Sequence, residues 1–220
     1  MPPAIAALVY EFLYWAFYFL LLIGFSFRVA GRRNVPRRGP ALLIANHQSY
    51  LDPPAIGVGA PRHLHYLARK TLFKKGGFGT LLETVNSVPI DQEGVGKEGM
   101  KNILARLEAG NAVLVFPEGE RCADGQIHPL RPGIGLLVKR TRAPIVPVGI
   151  AGAFDAWPRS RKLPWLSPLF LLPTRRTVAV VFGTPRDPST LDGLSREQML
   201  SALYDDLTAV AKQAEALRRK

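Results

Sequence analysis

The chain has a single cysteine, Cys122, among 220 residues. An internal disulfide framework is therefore excluded, and so sparing a use of thiols suits a reducing compartment. Acidic side chains are also scarce beside basic ones: 17 Asp and Glu stand against 29 Lys and Arg, for a net charge of +12. That imbalance asks for an anionic partner, whether nucleic acid, an anionic membrane surface, or an acidic carrier and a phosphorylated substrate. The Gly-x-x-x-x-Gly-Lys order is absent, which removes a Walker phosphate loop. Ligand spacings for zinc, calcium or haem are missing too, so no metal is expected. No internal repeat or low-complexity block stands out.

Charge disappears altogether between Phe12 and Phe27, a stretch that includes Trp15. As a helix it would reach roughly 24 Å, short of the ~30 Å hydrocarbon core of a bilayer. Counting back to Pro2 lengthens the run but brings Glu11 inside it. The start has neither a basic region nor a clear small-residue cleavage site, so a signal peptide is not expected. Arg28, Arg32, Arg33, Arg37 and Arg38 follow at once, a cluster suited to lipid headgroups. The sequence reads as a membrane-anchoring helical segment over residues 1–30, inserted in or lying on the interface, followed by one main domain over 31–220. A core helix and a true transmembrane span are the alternatives for the first segment. The basic balance suggests an orientation with the following domain in the cytosol.

Beyond Pro40 the pattern alternates between short apolar runs and helical stretches, which argues for an α/β fold. Strands are expected at 41–46, 63–67, 87–90, 112–116, 145–150 and 177–182. Pro53 and Pro54 fit the first turn of a helix capped by Asp52. A helical region over 69–84 is interrupted by Gly76, Gly77 and Gly79. Lys97 to Ala109 has helical periodicity through Met100, Ile103, Leu104 and Leu107, and Pro132 can start another helix. In the C-terminal segment Ser195 and Gln198 form a capping box. Met199, Leu203, Leu207, Val210, Ala214 and Leu217 line one apolar face there.

The segment Asn46-His-Gln-Ser-Tyr-Leu-Asp52 carries the clearest chemistry. A buried strand delivers His47 to its C-terminal end, and Asp52 can fold back across the turn to it. Such a dyad makes one imidazole nitrogen a donor to the carboxylate and leaves the other as a general base. An unremarkable loop histidine beside an ordinary helix cap fits the spacing as well. Phe116-Pro-Glu-Gly-Glu-Arg121 follows a second strand; Gly119 allows a tight path and Arg121 offers a planar fork for phosphate oxygens. Glu118 is placed to orient that arginine or to meet substrate hydroxyls, and a plain turn is the alternative. His63 and His65 can share one strand face, as a metal pair or as solvent-facing polar positions. His128 has no neighbouring ligand pattern, and Cys122 has no paired base that would make it a nucleophile.

Four segments together resemble the glycerolipid acyltransferase family, above all bacterial 1-acyl-sn-glycerol-3-phosphate acyltransferases. They are NHQSYLD at 46–52, SVPIDQEG at 87–94, FPEGER at 116–121 and PIVPVGI at 144–150, in the family's order. The resemblance implies a central mixed sheet flanked by helices, with His47 as general base and Asp52 as its orienting acid. It implies that Glu118, Gly119 and Arg121 help bind the acyl acceptor, and that Pro147 belongs to a structural block. The expected reaction carries an acyl group from acyl-CoA or acyl-carrier protein to the sn-2 hydroxyl of lysophosphatidic acid, with no cofactor. Backbone amides near a helix start are candidate donors for the thioester oxyanion. Two positions depart from the family pattern: Gln92 stands where an arginine is common, and Glu120 where threonine is frequent. Lys70, Lys74 or Lys75 could replace the missing cation.

Membrane lipids are the further partner expected, with Trp157 and Trp165 as a second membrane-facing patch. Related acyltransferases of glycerol 3-phosphate, another lysophospholipid or a non-phosphorylated alcohol are the enzymatic alternatives. A nucleic-acid-binding module and a non-catalytic membrane scaffold are the alternatives of a different class. No recognition module accompanies the basic residues, so nucleic acid is not expected as a partner.

Overall fold

In strand Ala41–Ala45 every side chain is buried, and the alternation of its residues divides the molecule in two. Ala41, Leu43 and Ala45 enter one apolar cluster, and Leu42 and Ile44 enter another on the opposite face of the sheet. The computed structural model describes residues 3–74, 76–90, 96–168 and 173–220. Along these the order is α1 (Pro3–Phe25), β1 (Arg28–Ala30), β2 (Ala41–Ala45), α2 (Asp52–Gly59), β3 (Leu64–Arg69), α3 (Lys70–Phe73), α4 (Gly77–Thr84) and β4 (Ser87–Ile90). It continues with α5 (Lys97–Glu108), β5 (Ala112–Val115), α6 (Gly133–Arg140), β6 (Ile145–Ala151), α7 (Ala153–Ala156), β7 (Ala179–Phe182) and α8 (Arg196–Arg218).

The strands form one sheet in the order β1-β7-β6-β2-β5-β3-β4. All neighbours are parallel except β6 and β7, which makes the sheet mixed, as the resemblance implied. β2, β5 and β6 occupy its centre, and their uninterrupted burial is what strands covered on both faces require. Helices α1 and α2 cover one face, and α5, α6 and α8 cover the other. Thus the connection leaving β2 runs through α2 on one side, while that leaving neighbouring β5 runs through α6 on the other. A crevice opens where adjacent strands part company in this way, beyond their carboxyl ends. His47 and Glu118 emerge at this point.

Two sequence expectations change. Strand β1 lies within residues 1–30, so the sheet begins inside the segment read as an anchor. It is three residues long and follows the apolar helix directly, which leaves it no periodicity of its own. Asp52 starts α2 but does not cap it: Leu51 is the cap residue, and the Asp52 carboxylate turns back to the loop before it. The capping box of α8 forms in full, with Gln198 N–H donating to Ser195 Oγ at 3.2 Å and Ser195 N–H to Gln198 Oε1 at 2.9 Å. That helix sits so close to β6 that a Cβ on Gly149 would lie 2.4 Å from the Val210 backbone.

Helix α1 is two-sided. Tyr10, Tyr14, Tyr18, Leu21 and Phe25 recur at helical spacing along the face turned to the domain, and the Tyr14 hydroxyl donates to Val58 O at 3.0 Å. Leu8, Phe12, Trp15, Phe19 and Ile23 recur likewise on the opposite face, and all are exposed. Leu8–Phe25 has a mean hydropathy of 1.8 and is long and apolar enough to cross a membrane. Glu11 leans toward the domain, where it lies 3.1 Å from His63 Nε2.

Candidate active site

The loop from Asn46 to Asp52 is shaped by bonds at both ends. Asn46 at the end of β2 donates from Nδ2 to Ile150 O at 3.0 Å and accepts Ile150 N–H at 2.9 Å, which fastens the loop to β6. Ser49 Oγ donates to Trp157 O at 2.7 Å. At the far end, Asp52 Oδ2 accepts N–H from Gln48 at 2.5 Å and from Ser49 at 2.7 Å. The same oxygen is 2.8 Å from His47 Nδ1. Asp52 is wholly buried, while the His47 side chain keeps 17 % of its exposure. An acceptor oxygen at this distance fixes the imidazole with the proton on Nδ1. Nε2, left unprotonated, has no hydrogen-bond partner among the described residues. The imidazole is therefore set up as a base.

The second loop leaves β5 beside it. Phe116 lies flat against His47, with ring centroids 3.9 Å apart and planes 17° from parallel. Cys122 N–H donates to His47 O at 2.9 Å, tying the two loops backbone to backbone. Glu118 is buried, and both its oxygens are engaged: Oε1 accepts His47 N–H at 2.8 Å and Oε2 accepts His128 N–H at 2.9 Å. Burial raises its carboxyl above the usual range, and these two backbone donors oppose the rise. Glu118 thus braces the catalytic loop from beneath, with no oxygen left over to orient Arg121. Gly119 turns with φ +83°, the left-handed region that glycine tolerates, against the Arg131 side chain.

Arg121 stands at the mouth. Its guanidinium carbon is 3.5 Å from the centre of the Tyr50 ring, and its Nη1 is buried without a hydrogen-bond partner. A stacked guanidinium with an unspent donor is a fit receptor for a phosphate oxygen. Glu120 does not add bare negative charge there, since its oxygens pair with Arg131 at 3.5 Å and Arg159 at 3.1 Å.

Several expectations meet this geometry differently. His47 and Asp52 come together, and Glu118, Gly119 and Arg121 gather on the adjoining loop. The start of α2 offers no free amide for an oxyanion: Leu51 N–H goes to Ser49 Oγ, Asp52 N–H to Ser49 O, and Pro53 and Pro54 have none. His63 lies against Tyr10, ring centroids 3.9 Å apart and planes tilted by 34°, and no cluster that could hold a metal ion exists among the described residues. Burial pushes the Cys122 thiol up to about 11, the opposite of an activated nucleophile. Lys70 pairs with Glu98 at 2.7 Å. Gln92 and Lys75 lie outside the described residues.

Sequence reasoning missed Phe116, Tyr50 and His128 as parts of this site. Tyr50 and Phe116 lie inside the NHQSYLD and FPEGER segments, but nothing in the sequence says which ring lies under which partner. His128 enters through its backbone, which carries no sequence signal at all.

A histidine–aspartate pair and a stacked arginine stand together at the carboxyl ends of parallel strands. The family model described as Acyltransferase matches residues 26–151, and the chain belongs to that family of enzymes. It is 26% identical over 208 residues to the 1-acyl-sn-glycerol-3-phosphate acyltransferase of Bacillus subtilis, spanning 94% of this chain and 97% of that one. A putative enzyme of the same name from Caenorhabditis elegans is 27% identical over 212 residues, 92% of this chain and 73% of its own. The crystal structure of the 1-acyl-sn-glycerophosphate (LPA) acyltransferase from Thermotoga maritima shares the fold, with a TM-score of 0.71. That likeness covers 98% of this chain and 81% of the other at 24% identity.

Proposed function

We propose that the protein acylates the sn-2 hydroxyl of lysophosphatidic acid, taking the acyl group from acyl-CoA or acyl-carrier protein and forming phosphatidic acid. The observation that carries this reading is the dyad: His47 Nδ1 at 2.8 Å from buried Asp52, with Nε2 unpartnered among the described residues. As the hydroxyl oxygen attacks the thioester carbonyl, Nε2 takes its proton, and Asp52 stabilises the imidazolium. The tetrahedral intermediate then expels the thiolate, which recovers a proton from the imidazolium, so the base is restored in one cycle. No acyl-enzyme is formed and no cofactor is consumed. The unspent Nη1 of Arg121 serves the acceptor phosphate, and Glu118 holds the loop that carries His47.

Association with the membrane fits a lipid acceptor and product. Helix α1 packs along its length on the domain through the Tyr10–Phe25 face, which supports a helix lying in the interface over one that leaves the domain to span. The catalytic domain is assigned to the cytoplasmic face of the inner membrane, where both acyl donors and anionic lipid would meet it.

The test is product formation by purified protein in mixed micelles with lysophosphatidic acid and each donor separately, with His47→Ala as control. Phosphatidic acid from the wild type alone supports the reading and identifies the donor. A product only with glycerol 3-phosphate or another hydroxyl acceptor would retain the dyad chemistry and replace the acceptor.

A further inference from the structure

Between Trp157 and Thr177 the sequence holds five basic residues, Arg159, Arg161, Lys162, Arg175 and Arg176, and no acidic one. The same segment presents Leu163, Trp165 and Leu166 to solvent, with exposures of 76 %, 49 % and 52 %. Arg161 lies over the Trp165 ring at 3.3 Å and Arg176 at 4.6 Å. Two cations about one exposed indole, among bare leucines, is the chemistry of the bilayer interface, where ring and aliphatic groups enter and the guanidinium groups meet phosphate.

The segment is fixed to the end of α1. Ser167 N–H donates to Gly24 O at 2.7 Å, Ser26 Oγ donates to Ser167 O at 2.8 Å, and Leu166 Cδ2 packs 3.5 Å from where a Gly24 side chain would begin. Its apolar residues therefore continue the exposed stripe of α1 that ends at Ile23. It also reaches the active site. Trp157 Nε1 donates to Arg161 O at 3.2 Å, the Trp157 ring lies 5.4 Å from the Tyr50 ring, and Tyr50 underlies Arg121.

We infer that Arg159–Leu166 is a second membrane contact, which seats on anionic lipid and sets the mouth of the site at the bilayer surface. The inference rests on the lipid acceptor proposed above. An insertion held only along α1 leaves the domain free to roll about the helix axis, and a second contact on one side of that axis removes the freedom. An acceptor lipid then reaches Arg121 past Trp157 without leaving the headgroup layer.

Nitroxide labels at Leu163→Cys, Phe12→Cys and Lys101→Cys, each in the full chain, test this in phosphatidylglycerol vesicles. Native Cys122 is buried, so label should go to the introduced cysteine first. The Leu163 and Phe12 labels should exchange with oxygen in preference to a water-soluble nickel reagent, and the Lys101 label should show the reverse. The double variant Leu163→Glu/Leu166→Glu should lose roughly tenfold in partitioning onto phosphatidylglycerol vesicles, with micellar turnover unchanged. A Leu163 label as wet as the Lys101 label, whether or not Phe12 inserts, overturns the inference, as does protection by acidic carrier protein alone. Because the labels report without turnover, an inactive protein whose Leu163 label is buried in lipid would sink the proposed acceptor and leave this contact standing.

Discussion

The His47 ring lies on the face of Phe116, 3.9 Å between centroids, while its Nδ1 points at Asp52. One contact fixes the plane of the imidazole and the other its rotation, so Nε2 has a single heading. The stack does a second thing. When Nε2 gains a proton the ring becomes a cation over an aromatic face, which attracts it. Phe116→Leu keeps a large apolar side chain and removes the face; kcat should fall by roughly threefold to tenfold, with KM for the acceptor little changed. Steady-state kinetics with varied acceptor checks the split.

Asp52→Asn should be far more damaging. The two loop amides hold the amide oxygen in the place of Oδ2, so the imidazole keeps its tautomer but loses the negative charge that stabilises its protonated form. A kcat loss on the order of 10²–10⁴ is expected, with circular dichroism unchanged. Full activity in that variant would remove Asp52 from the mechanism.

Glu118 gives two buried N–H groups one acceptor each, which glutamine cannot do. Glu118→Gln should cost about 1–3 kcal/mol in denaturant unfolding, from the backbone donor left facing an amide. The pH dependence has a definite sign. Burial raises the carboxyl's folded value, so the folded state binds that proton more tightly than the unfolded one. The wild type loses this contribution as pH rises from the ordinary glutamate range through the raised value, and the glutamine variant does not. The stability difference between them should therefore narrow over that window.

Arg121→Lys retains charge but gives up the fork and the stack on Tyr50. The acceptor KM should rise roughly tenfold, and Tyr50→Leu should produce a smaller rise. If both variants match the wild type on lysophosphatidic acid, the phosphate is held elsewhere.

With its thiol pushed up to about 11 and almost no exposure, Cys122 should react with iodoacetamide at pH 8 on the order of a hundredfold slower than free cysteine. Cys122→Ala should retain turnover. Rapid labelling coupled to inactivation would contradict the base mechanism.

What was legible in the sequence was local. His47 and Asp52 are five residues apart in one turn, so their meeting could be read from the chain, and the α8 capping box likewise. The cap role given to Asp52 failed because two loop amides and the imidazole compete for the same oxygen. The Arg121–Tyr50 stack, the Phe116–His47 stack and the Glu118 brace join positions about 70 residues apart, and no periodicity reports such meetings. The dual nature of α1 was half legible: the absence of charge marked it as apolar, but only packing separates the tyrosine face from the bare one.

The Asn46 clasp on Ile150 ties the catalytic turn to chain made more than 100 residues later. Strand β2 likewise waits between β5 and β6, both downstream of it. A ribosome that has released everything through Arg140 has therefore finished His47, Asp52 and Arg121, yet has not assembled the site they form. Competence should therefore arrive late, once β6 lies beside β2. Contacts of such long sequence separation close slowly, so birth of activity should lag behind emergence of the motif.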